Sequence, residues 1–133
     1  MIGAAQGAQP RVSLSLILIA LLFAMSGVLH FVKSEYYVRI MPPWLPAPLA
    51  LVLISGVCEV LGAAGLLMPA TRAFAGWGLI ALLVAVFPAN VQMLLNARAT
   101  HASPVWLASL IARLPAQAAL IYWVFRAAIR APR

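Results

Sequence analysis

Ser55-Gly56-Val57-Cys58-Glu59-Val60-Leu61-Gly62 places a carboxylate in the middle of an apolar run that extends from Leu49 to Met68. A carboxylate at the centre of a membrane helix costs roughly 2.5–3.5 kcal/mol on insertion scales, so something elsewhere must compensate. The chain has two acidic side chains, Glu35 and Glu59, against nine basic ones, for a net charge of +7. Of its 133 residues, 65% are hydrophobic and 8% charged, with a mean hydropathy of +1.05. A soluble domain carries about 25% charged residues, and this chain could not cover a water-facing surface. The reading is an all-α integral membrane protein of a single domain.

Working outward from that run, three more apolar stretches emerge. The expected spans are 12–32, 49–68, 72–96 and 104–128, each long enough for a hydrocarbon core about 30 Å thick. Pro48 and Pro104 suit the first position of a helix, and Ser103 and Thr71 are candidate N-caps. Between the first two spans, Lys33 to Arg39 mixes Tyr36 and Tyr37 with charge, as an interfacial segment would. Pro42-Pro43-Trp44-Leu45-Pro46-Ala47-Pro48 cannot be regular helix, because each proline lacks a donor and restrains its predecessor. Pro42, Pro43 and Trp44 are expected either to cap one mouth of the bundle or to serve as a rigid linker. A four-helix bundle with this Pro-rich cap is the predicted fold.

Four spans put both termini on one side. Arg11, Arg72, Arg126, Arg130 and Arg133 then face Lys33, Arg39 and Arg98 across the bilayer. That asymmetry favours cytoplasmic termini in a bacterial inner membrane. The basic residues sit at the ends of apolar runs, with no basic stripe and interleaved aromatics. This argues for membrane lipids, and not nucleic acid, as the partner of the positive charge. The lone Cys58 can form no intrachain disulfide and no Cys-x-x-Cys pair, and it reads as a small core residue.

Depth along the helices suggests a partner for Glu59. It lies about 15 Å from the start of its run, and Arg113 about 14 Å from the start of the fourth, at the same side. The two are expected to pair, an arginine fork matching a carboxylate well. Gln117 lies one turn from Arg113, and Asn90 and His30 sit nearer the same mouth. Glu59, Arg113, Asn90, Gln117 and His30 thus form the candidate polar core. A structural ion pair and a ligand- or proton-handling site are both open readings. Pro88 and Pro115 are expected to free the carbonyls of Val84 and Ile111 for those donors. His101 falls in a connection, which argues against a bis-histidine haem with His30. No metal-spaced cluster, phosphate loop or activated nucleophile is visible, so no catalytic residue is assigned.

Several of these pieces fall into an ordered set. They are Gly27-Val28-Leu29-His30-Phe31, Pro42-Pro43-Trp44-Leu45-Pro46, Ser55 to Gly62, Phe87-Pro88-Ala89-Asn90-Val91 and Arg113-Leu114-Pro115-Ala116-Gln117. In that order the chain resembles the DoxX-like family of four-helix membrane proteins. It is also distantly similar to the animal chaperone family that assembles nicotinic acetylcholine receptors, in its Glu59 between small residues and in Arg113-Leu114. The first resemblance implies a four-helix architecture and a link to quinone-dependent membrane redox complexes; the second implies an assembly role. The leading expectation is a non-enzymatic accessory or assembly factor, binding other integral membrane proteins or a second copy through small-residue helix faces. The alternatives are a quinone-interacting subunit and a small-molecule or proton carrier using Glu59. No resident cofactor is expected beyond a quinone or lipid.

Overall fold

A computed structural model describes residues 11–131. It is helical, with no strand among the described residues. Five helices follow in order: α1 Leu14–Val32, α2 Ser34–Arg39, α3 Pro48–Leu67, α4 Arg72–Ala99 and α5 Pro104–Val124. A wide π turn, Phe125–Ile129, continues α5. The four long helices are each long and apolar enough to cross a membrane.

Local chemistry sets most of the boundaries. The Ser13 hydroxyl accepts from the Leu16 amide and the Ser103 hydroxyl from the Trp106 amide, each satisfying an orphan donor of a first turn. Pro48 and Pro104 begin α3 and α5, where a missing amide proton costs nothing. Ala47, just before α3, adopts a left-handed conformation with φ 48°, unusual for a residue with a Cβ. Thr71 behaves differently from the expected N-cap. Its hydroxyl donates to the Gly65 carbonyl at 2.9 Å, and the Arg72 Nε donates to the Leu66 carbonyl at 2.9 Å. Both therefore close the end of α3 instead of opening α4.

The helices surround the bundle in the order α1, α3, α4, α5, and α1 meets the terminal π turn to close the ring. The end of the bundle near the termini is solidly packed. Ile19, Leu66, Leu79 and Val124 are fully buried there, with Phe23, Ala63 and Ala75 around them. Small residues let backbones approach closely. A Cβ on Gly27 would lie 2.8 Å from the Gly56 carbonyl oxygen, and one on Gly56 would lie 2.8 Å from the His30 Cβ. Gly62 receives Leu79, Gly65 receives Ala75 and Gly76 receives Ala128. The small-residue faces seen in the sequence are thus largely consumed inside the bundle, with Gly78 left open. Cys58, expected in the core, faces outward.

The opposite end, at the connections, is less full. A small cluster of Met93, Ala97 and Leu110 packs with Ile40 and Leu107. Between it and the solid half lies a cavity.

Candidate functional site

The cavity measures about 290 Å³ and is lined from every long helix and from α2. Ser26 and His30 come from α1, Glu59 from α3, Asn90 from α4, and Arg113 and Gln117 from α5; Tyr37 and Met41 close it from the connection. The structure therefore brings the five predicted polar residues to one space. It does not make the predicted pair.

The partner of Glu59 is His30. The His30 Nδ1 lies 3.0 Å from the Glu59 Oε2, and both side chains are buried, at 8% and 9% residue exposure. The Ser26 hydroxyl donates to Oε1 at 3.1 Å. The His30 Nδ1 is also 2.8 Å from the Ser26 carbonyl, so this nitrogen carries the proton. The N–H is directed at that carbonyl, and Oε2 is left in charge contact without an aligned donor.

The Gly27–Gly56 crossing explains why these two groups meet. Each helix tilts its Cβ atoms toward its own N-terminus. In an antiparallel pair, the residue three positions after each glycine is displaced away from the crossing, but its side chain leans back toward it. His30 and Glu59 hold those two positions. Depth arguments fix height in a bundle and say nothing of which face a residue occupies. Arg113 shares the height of Glu59 but stands on α5, which packs chiefly against α4 and not α3. No acidic group lies within ion-pair distance of Arg113 among the described residues.

Asn90 and Gln117 form a second, separate chain of amides. The Asn90 Nδ2 donates to the Gln117 Oε1 at 2.6 Å, and the Gln117 Nε2 donates to the Leu83 carbonyl. The acceptor is one residue earlier than the expected Val84. The Pro88 ring disturbs the preceding turn as a whole, and Leu83 faces the core while Val84 points outward. Neither Pro88 nor Pro115 ends its helix.

The cover over the cavity is not the Pro-Pro-Trp segment. Trp44 is 70% exposed and lines no part of the cavity; Pro42 is buried and Pro43 exposed. Tyr37, Ile40 and Met41 cover it instead. The Tyr37 ring stacks on His30 with centroids 4.0 Å apart. Two contacts tie α2 down to α4: the Tyr36 hydroxyl donates to the Met93 sulfur at 3.7 Å, and the Asn96 Nδ2 donates to the Arg39 carbonyl at 3.2 Å. The sequence signal that could have found this lid was the aromatic pair in an amphipathic six-residue stretch. Burial pushes the Tyr37 phenol up from its ordinary range; the Glu59 charge adds to the rise and the Arg113 charge opposes it. Both charges thus act on the roof of the same cavity. No group of three metal-ligating side chains exists among the described residues.

Residues 19–128 match the model of a family described as Domain of unknown function (DUF8561). The chain belongs to this family. The DUF8561 match runs from within α1 to the π turn and includes every polar residue of the cavity. No curated protein and no solved structure matched the chain.

Proposed function

We propose that this DUF8561 chain is a multi-pass membrane protein whose cavity receives the polar head of a lipid-soluble small molecule. The observation that carries this reading is the cavity itself, where four apolar helices converge their polar side chains under an aromatic lid. Pockets of this kind, mostly apolar with a few convergent polar groups, are where small molecules bind. Residues of α1 and α5 face each other across the space, so an amphiphile can enter sideways with its tail left among lipid chains. The resemblance to DoxX-like proteins supports a quinone as occupant and a redox complex as setting. Cytoplasmic termini in a bacterial inner membrane complete the reading, on the distribution of arginines. The chain's own contribution is binding and orientation.

Native mass spectrometry from mild detergent, with extraction of whatever is retained, tests the proposal. A stoichiometric quinone or other amphiphile is expected, and it should disappear when Ala89→Phe fills the cavity. An empty bundle, or one carrying only bulk lipid, would sink the reading.

A second reading keeps the accessory or assembly role. It is supported by the open space above Gly78, beside the exposed Phe74 and Trp77 on α4. It predicts a co-purifying membrane protein or second copy that Gly78→Leu releases.

A further inference from the structure

We propose that the cavity is selective for acidic amphiphiles, single-chain molecules with a carboxylate head that Arg113 grips. This inference rests on the cavity reading above and narrows its ligand.

The argument is one of charge balance. The cavity wall holds one carboxylate and two basic groups, His30 and Arg113. The carboxylate is taken: His30 stands 3.0 Å from Oε2, and the Ser26 hydroxyl occupies Oε1 at 3.1 Å. The neighbouring amides are taken as well, since Gln117 spends its oxygen on Asn90 and its nitrogen on the Leu83 carbonyl. Arg113 therefore makes neither an ion pair nor a side-chain hydrogen bond with any described residue. Its guanidinium cannot shed its proton, and it offers five N–H donors in a planar fork. A guanidinium about two and a half turns inside an apolar helix is expensive unless an anion or a set of acceptors meets it. The fork fits a carboxylate through two parallel hydrogen bonds.

The rest of the wall agrees with an acid head and an alkyl tail. Leu22, Phe23, Val86 and Leu120 are the cavity's apolar lining below Arg113. Arg113 is itself exposed on the side of α5 away from α3, and Ala116 beside it is small and exposed. The head can thus reach the fork from the lipid without crossing the packed half. Glu59 does not repel such a head as a free charge would, because His30 stands against it.

The test uses the full chain in nanodiscs of phosphatidylcholine. Dodecanoate, dodecanol and a benzoquinone with a ten-carbon tail are compared by native mass spectrometry and by thermal shift. Dodecanoate is expected to bind at least about tenfold tighter than dodecanol, as a charge-assisted bidentate contact would give. Arg113→Gln should abolish that preference, and Arg113→Lys should retain part of it, a point charge replacing the fork. If Arg113→Gln fails to fold, the acid-against-alcohol ratio on the unaltered protein still decides. Equal binding of acid and alcohol, or tighter binding of the quinone, with all of it lost in Ala89→Phe, overturns the acidic ligand and leaves the cavity reading standing. Binding that Ala89→Phe does not touch, or no binding of any probe, overturns both.

Discussion

The two halves of this bundle are built from the same four helices and have opposite interiors. Near the termini, Ile19, Leu66, Leu79 and Val124 fill the space between helices drawn together by Gly62, Gly65 and Gly76. At the connection end, the same helices enclose about 290 Å³ bordered by Glu59, His30, Asn90, Gln117 and Arg113. The boundary is the Gly27–Gly56 crossing. On one side of it backbones touch and side chains are apolar. On the other, α5 turns its polar residues toward a space it does not fill. Helix contact and hollow are thus one design, since the tight crossing sets where His30 and Glu59 meet.

The contrast predicts graded responses to substitution, each measurable by thermal unfolding in mild detergent. Gly56→Leu should be the most damaging. Its side chain would meet the Gly27 carbonyl oxygen and the His30 Cβ, atoms that cannot step aside, and the loss should exceed about 3 kcal/mol. Gly78→Leu, with nothing within 4 Å of the added Cβ, should leave stability unchanged. A mild Gly56→Leu would break the claim that this crossing organises the site.

Next is the pair Leu66→Ala and Ala89→Phe. The first removes volume from the full half, where Leu66 has no exposure, and should cost about 3 kcal/mol. The second adds volume to the hollow half and should change stability by less than about 1 kcal/mol, because it fills space instead of compressing neighbours. Similar losses from both would show that the halves are packed alike.

Glu59→Gln should cost about 2 kcal/mol by leaving a buried His30 without its charge partner. In a double-mutant cycle, Glu59 should couple to His30 and not to Arg113. Exchanging Glu59 and Arg113 should rescue nothing. Recovery in that exchange would restore the pairing that depth alone suggests. Smallest is Ala47→Gly, which should stabilise by about 0.5–1 kcal/mol by relieving the left-handed backbone before α3. No gain there would show that the strain is met elsewhere in the connection.

What the sequence made legible follows from what its signals measure. Hydropathy and the prolines at Pro48 and Pro104 located the long helices closely, because spanning length and missing amides are local properties. They also placed Glu59, Asn90, Gln117, His30 and Arg113 at comparable heights. They could not choose His30 over Arg113, since that depends on which faces the helices turn to one another. The glycines held that information: Gly27 and Gly56, each three residues before a polar partner. Trp44 misled for a different reason. Proline stiffness says that a segment is rigid, not where it lies, and the lid formed from Tyr37, Ile40 and Met41 instead.

The π turn at Phe125–Ile129 has a consequence of its own. A π turn accommodates one more residue than an α turn, so it acts as an insertion carried within a helix. Here it sets Ala128 into the notch at Gly76 and Phe125 edge-on against Trp77, with centroids 5.9 Å apart. Deleting one residue within it would restore ordinary winding and rotate everything beyond by about 100°. Arg130 would be carried to another azimuth, and the last turn would lose its seat on α4. Shortening the chain there by a single residue is therefore a change of direction more than of length.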